Sequence, residues 1–114
     1  MKKNQAEVIV VEDATYLIEA IKGRFTEKKV DYYQRPEKLL ENISKYPLDV
    51  HILLDNDIPG SKRGTEVAKM LHDLGYKRLY LFTGEAVTQE ELPDYLTLIT
   101  KGHHTEKLRE IFGE

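Results

Sequence analysis

Cysteine is absent from the 114 residues. That excludes a disulfide scaffold, a thiol nucleophile and a Cys-ligated zinc, and it fits a reducing compartment. No charge of one sign dominates. Lys and Arg number 17 against 20 Asp and Glu, for a formal net charge of −3. This excludes a strongly basic nucleic-acid domain and a disordered acidic tail. Long hydrophobic runs are missing too. After Met1-Lys2-Lys3 the first apolar run is only Val8 to Val11. A secretory signal needs a longer stretch, and a membrane span needs about 20 residues. No repeat, low-complexity tract or linker interrupts the chain. These absences point to a soluble cytoplasmic protein with no membrane partner and no direct nucleic-acid partner.

What is present suits one domain. A chain this long buries roughly two-thirds of its unfolded surface and can hold a core without staples. Short apolar runs alternate with helical periodicity. Val8-Ile9-Val10-Val11 is a β-branched run of buried-strand type. Leu17, Ile18, Ile21 and Phe25 then line one face of a helix expected from Ala14 to about Lys28. Val30 to Tyr33 reads as a strand near a sheet edge. Pro36 suits the first turn of a helix with Leu39, Leu40 and Ile43 on its apolar face. His51 to Leu54 is a second continuous apolar run. Val67, Leu71 and Leu74 mark a helix from Thr65 to Leu74 that Gly75 stops. Leu79 to Phe82 and Leu96 to Ile99 are further strands, and Thr105 to Phe112 is a closing helix.

Strands alternating with helices imply parallel β-α-β units, and continuous apolar runs imply strands covered on both faces. The expected fold is α/β, a flavodoxin-like doubly wound five-stranded parallel sheet of order 2-1-3-4-5. Its fourth helix must be short. Thr88-Gln89-Glu90-Glu91 is a capping-box pattern that can start a helix at Thr88, and Pro93 stops it at Leu92. Only about one turn fits before the last strand.

In such a sheet, ligands bind beyond the carboxyl ends of the strands, where the strand order reverses. The strands here end in Glu12-Asp13, Asp55-Asn56-Asp57, Thr83-Gly84 and Thr100-Lys101-Gly102. Glu12, Asp13 and Asp55 would meet at the switch point, with Thr83 and Lys101 arriving from the far side. Three close carboxylates disfavour joint ionisation unless a cation sits among them. Oxygen-only donors point to Mg²⁺, which takes one or two carboxylates plus phosphate and water. Each residue also has a plainer reading. Asp13 is a good helix N-cap, Asp55 opens a turn-rich stretch, Thr83 is a turn hydroxyl and Lys101 is a solvated lysine. The coincidence at four strand ends favours the site.

This arrangement resembles the receiver domain of two-component response regulators, of the single-domain type. The likeness runs from about Glu7 to Phe112, so residues 1–114 would be one receiver domain with its core from about 7 to 112. The motifs are Val-Val-Glu-Asp-Ala with Glu12 and Asp13, and Leu-Leu-Asp-Asn-Asp-Ile-Pro-Gly with Asp55 four residues before Pro59. Leu-Phe-Thr-Gly-Glu carries Thr83, and Leu-Ile-Thr-Lys-Gly carries Lys101. The resemblance implies that Asp55 accepts a phosphoryl group from a phosphohistidine of a sensor histidine kinase or a histidine phosphotransfer protein. It implies Mg²⁺ held by Glu12, Asp13, Asp55 and the backbone carbonyl of Asp57. Lys101 and Thr83 would contact the phosphoryl oxygens. Such a chain is not a turnover enzyme.

Several residues depart from the family pattern. Gly102 stands where proline is usual, and Leu98 where an aromatic switch residue is usual. The loop from Pro59 to Gly64 is one residue longer than is usual for the family, and Lys62-Arg63 makes it basic. Asp57 adds a charge beside the acceptor. Two rivals use the same residues. One is a pseudo-receiver that binds partners without phosphorylation. The other is a haloacid-dehalogenase-like phosphatase built on Asp55-x-Asp57, which would need a late acidic pair where only Glu106, Glu110 and Glu114 stand. His103-His104 is expected to be a solvated turn, because adjacent loop residues seldom converge on one ion.

Overall fold

The computed structural model describes residues 6–24, 28–101 and 105–112. Along the chain run β1 (Val8–Val11), α1 (Thr15–Arg24), β2 (Val30–Tyr33) and α2 (Pro36–Asn42), then a 3-10 turn at Ile43–Lys45. β3 (His51–Asp55), α3 (Gly64–Asp73), β4 (Arg78–Thr83), a 3-10 turn at Gln89–Glu91, β5 (Leu96–Thr100) and α4 (Thr105–Phe112) follow. The strands form one sheet of order β2-β1-β3-β4-β5, and every neighbouring pair is parallel. This is the flavodoxin-like order that the alternation of runs implies.

The alternation of side chains along each strand divides the core in two. Ile9, Val11, Ile52, Leu54, Leu79, Leu81 and Leu96 face Leu39 of α2 and Val67, Ala68 and Leu71 of α3. Val8, Val10, Leu53, Phe82 and Ile99 face Ile21 of α1 and Leu108 and Ile111 of α4. Central strands covered on both sides therefore read as unbroken apolar runs. β2 lies at the edge and is only half buried. Its Asp31 accepts a hydrogen bond from Tyr46 Oη, which also lies 2.6 Å from Tyr33 Oη. A charge on the edge strand is thus satisfied from within the fold.

Over the described residues α1 runs Thr15–Arg24, and Phe25, expected on its apolar face, lies outside them. One helix end differs from the sequence expectation. Leu74 is not on the apolar face of α3 but is the exposed residue that caps it. The reason is the turn that follows. Gly75 adopts φ +103°, its N–H donates to His72 O, and the Tyr76 N–H donates to Leu71 O. This Schellman turn sends Tyr76 into the core instead of Leu74. The buried Tyr76 hydroxyl then donates to the carbonyls of Ile43 and Tyr46.

Between β4 and β5 the fourth helix is reduced to the single 3-10 turn, so α4 is the closing helix. Thr88 precedes that turn but makes no side-chain cap bond, contrary to the capping-box expectation. The Gln89 side chain holds the turn instead. Its Nε2 donates to Leu96 O at 2.8 Å, and its Oε1 accepts the Leu98 N–H at 2.7 Å. A residue of a parallel strand opposite Thr97 would bond to the same two groups. The Gln89 amide therefore stands in for one residue of a sixth strand on the β5 edge. Pro93 ends the turn as expected, with Leu92 extended at φ −102°, ψ 152°.

Candidate functional site

Parallel pairing brings the carboxyl ends of β1, β3, β4 and β5 to one edge of the sheet. Val11 pairs with Leu54, so Glu12 and Asp55 stand side by side one residue beyond. Asp55 pairs with Phe82, which places Thr83 one step past it, and Thr83 pairs with Thr100, just before Lys101. The order reverses between β1 and β3, so the crevice opens there. Glu12, Asp13, Asp55, Thr83 and Lys101 all stand at this edge.

Glu12, Asp13 and Asp55 each offer a carboxylate oxygen within 4.8 Å of the others. Their exposures differ. Glu12 is fully buried, Asp55 nearly so, and Asp13 is exposed. Lys101 Nζ sits between the buried two, 2.8 Å from Glu12 Oε1 and 3.4 Å from Asp55 Oδ2. It also lies 5.3 Å from the centre of the Phe82 ring. Burial pushes the Glu12 carboxyl up to about 7 from an ordinary 4.5, against the lowering effect of Lys101 and of the Ala14 N–H. Burial alone would lower the Lys101 ammonium, but Glu12 and Asp55 outweigh it and hold the ammonium above its ordinary value.

The acidic pair is shaped by the start of α1. That helix begins at Thr15, and Ala14 O accepts the first helical bonds, from Leu17 and Ile18. The cap position therefore falls on Ala14, not on Asp13. Glu12 Oε2 reaches forward to accept the Ala14 N–H at 3.0 Å. Asp13 is left facing outward with its carboxylate available.

The donor set fits a hard divalent cation. It is all oxygen and strongly negative. Glu12 Oε1 is buried with no aligned hydrogen bond beyond its ion pair to Lys101. A buried carboxylate oxygen in that condition is stabilised by added positive charge.

Asp55 is oriented by its own loop. Its Oδ1 accepts the Asp57 N–H at 3.2 Å, an Asx-type turn that leaves Oδ2 toward Lys101. Gly64 makes this loop possible. A Cβ there would lie 2.8 Å from Asp55 O and 2.9 Å from Asn56 Cα, so only glycine lets α3 start this close to the strand end. Thr83 is buried, and its Oγ1 accepts the Glu85 N–H at 3.0 Å. Leu98 is half buried on β5. Gly102, His103 and His104 lie outside the described residues.

Sequence reasoning missed the residues that brace these loops. Asn56 is buried between Thr65 N, which donates to its Oδ1 at 3.3 Å, and Glu85 Oε1, which accepts from its Nδ2 at 3.0 Å. Arg63 Nη2 also bonds Glu85, at 3.0 and 3.3 Å. From the other side, Arg35 Nη1 donates to Pro59 O and to Ser61 Oγ, and Glu37 accepts from Ser61 Oγ and Lys62 N. The one available signal was the amide of Asn56 beside the acceptor, since a buried amide at a strand end must find partners.

A shallow cleft of about 200 Å³ beside the acids is lined by Asp13, Gln34, Arg35, Ile58 and Pro59. A wider groove of about 620 Å³ runs from Thr15 to Lys22 of α1 and on to Arg35 and Lys38.

No family model matches the sequence, and no curated protein matches it. Solved structures do. The Francisella response regulator 1452 receiver domain is 18% identical with a TM-score of 0.71, covering 95% of this chain and 97% of that one. The response regulator StyR is also 18% identical with a TM-score of 0.71 over 93% of this chain, which spans 56% of the StyR chain. At this identity the likeness establishes the fold: the chain has the fold of response-regulator receiver domains.

Proposed function

We propose that the chain is a phosphoacceptor receiver of a two-component phosphorelay, with Asp55 as the acceptor. One observation carries the reading. Asp55 is held between an exposed carboxylate, Asp13, and the ion pair of half-buried Lys101 with buried Glu12, at the switch point of a receiver fold.

The chemistry follows from these positions. A carboxylate oxygen of Asp55 attacks the phosphorus of a phosphohistidine on a sensor kinase or phosphotransfer protein. The P–N bond breaks in line, and the ring nitrogen leaves with its electron pair. An acyl phosphate on Asp55 results. Phosphoryl transfer relies on positioning and on cations that balance charge on the equatorial oxygens. Lys101, already beside Asp55, supplies one such charge. Asp13, Asp55, Glu12 and the Asp57 carbonyl would hold Mg²⁺, which supplies the rest. Thr83 donates a hydrogen bond from its hydroxyl to a phosphoryl oxygen, drawing the start of the next loop inward.

The phosphatase reading lacks support. Among the described residues the acids gathered at Asp55 are the upstream Glu12 and Asp13. Glu106 and Glu110 lie exposed on α4. Turnover of an external substrate is therefore not part of the proposal. No helix among the described residues is long and apolar enough to cross a membrane. A cytoplasmic location is the one in which a phosphohistidine partner is met. Incubation with acetyl phosphate and Mg²⁺, followed by intact mass, tests the reading. One phosphoryl group should be gained, and none when EDTA is in excess.

A further inference from the structure

Glu85 is the centre of a polar network joining the two loops that flank Asp55. Its backbone N–H donates to Thr83 Oγ1. Its carboxylate accepts from the buried Asn56 amide and from the Arg63 guanidinium. Arg63 is the residue that leads into α3, and its other nitrogen lies 3.9 Å from Asp57 Oδ1. The Arg63 side of this network is anchored, because Arg35 and Glu37 fix the preceding stretch from Pro59 to Lys62. The Glu85 side is not anchored in that way. Gly84, Glu85 and Ala86 are exposed, and the next regular structure is one 3-10 turn.

We propose that the Arg63–Glu85 pair is a strap that holds Thr83 in its resting position, so that engagement of Thr83 by a phosphoryl group requires the strap to open. Arg63 is then a positioning residue that acts through Glu85. The inference rests on the receiver reading above and names a control on that same site. The Glu85 N–H donates to the Thr83 hydroxyl, so an advance of Thr83 toward Asp55 either carries the Glu85 backbone with it or breaks that bond. The Glu85 carboxylate is tied back to Asn56 and Arg63. A phosphoryl dianion on Asp55 opens the strap twice over, repelling the Glu85 carboxylate and attracting the guanidinium away from it. The side chains of Arg63 and Glu85 are 49% and 44% exposed, so the pair is weak. Weakness suits a restraint that one added group must overcome.

The test uses beryllofluoride, a tetrahedral stand-in for the phosphoryl group, with Mg²⁺. A ligand that selects the open state binds more tightly when the open state is more populated. The double variant Arg63→Met/Glu85→Gln opens the strap without changing net charge, so long-range attraction for the anion stays constant. It should bind beryllofluoride about two- to fivefold more tightly than the wild type, as expected for loss of an exposed pair. Arg63→Lys should lie close to the wild type. In the ligand-free protein, the Glu85 amide should exchange faster in the double variant, a readout that needs no phosphoryl chemistry. Equal beryllofluoride affinity in wild type and double variant, or an unchanged Glu85 amide, overturns the strap alone. A wild-type protein that binds no beryllofluoride overturns the receiver reading and the strap with it.

Discussion

Lys101 and Glu12 form a 2.8 Å ion pair in which the carboxylate has no exposed surface. The unfolded Glu12 carboxyl ionises near its ordinary 4.5, and burial holds the folded one at about 7. Unfolding therefore releases a proton between those pH values, and the Glu12 contribution to stability falls as pH rises across that window. Lys101 limits the fall. Its folded ammonium is held above the ordinary value, so its own contribution persists until alkaline pH. Lys101→Met should leave Glu12 without its counter-charge. The variant's deficit in urea denaturation should be small near pH 5 and grow to about 1–3 kcal/mol by pH 8, the usual cost of a buried polar group without its partner. A deficit that does not change with pH would contradict this role for the pair.

Metal binding should change over the same pH window, in the opposite direction. Below about 7 a cation must displace the Glu12 proton. Mg²⁺ affinity, measured by titration calorimetry, should rise with pH up to about 7 and then level off. Asp13 is exposed and lies outside the ion pair, so Asp13→Ala should leave thermal stability within about 0.5 kcal/mol of the wild type. It should nevertheless weaken Mg²⁺ binding and abolish phosphorylation. Labelling by acetyl phosphate that persists in excess EDTA would refute the metal's role.

Thr83 should sense the phosphoryl group rather than create it. The Asp55 nucleophile and the Lys101 charge are both independent of its hydroxyl. Thr83→Ala should accept phosphate at close to the wild-type extent, and the response of its Gly84 and Glu85 amides should be blunted. Identical phosphorylation-induced chemical-shift changes in the variant and the wild type would count against this.

The sheet was legible because buried parallel strands leave unbroken β-branched and aliphatic runs, as Val8 to Val11 shows. The acids, Thr83 and Lys101 were legible because strand ends converge in a parallel sheet, so four short motifs could be placed at one edge. What escaped were bonds between residues far apart in sequence. Arg63 read only as a basic loop residue, yet its partner Glu85 is 22 positions away. Leu74 had the helical spacing of a core residue, but backbone geometry at Gly75 gave the core to Tyr76. Thr88 had the pattern of a cap, but the Gln89 amide found unpaired strand edge at Leu96 and Leu98.

That last contact has a measurable consequence. Gln89→Ala should release the Gln89–Glu91 turn from β5 and leave the Leu98 N–H without its partner. Its amide should exchange about three- to tenfold faster, the range expected for one lost hydrogen bond. In the wild type, protection from Gly84 to Asp94 should rise on phosphorylation, because the engaged Thr83 draws the loop inward. An unchanged Leu98 exchange rate in the variant would show that the turn is held by other means.

The most direct measurement locates the phosphoryl group itself. Wild-type protein treated with acetyl phosphate and Mg²⁺ would be digested and mapped by mass spectrometry, with Asp55→Asn treated in parallel. The account predicts a single modification on Asp55 in the wild type. It predicts none in a variant that melts as the wild type does. Modification of Asp13 or Asp57, an unmodified wild type, or a modified Asp55→Asn protein would contradict it.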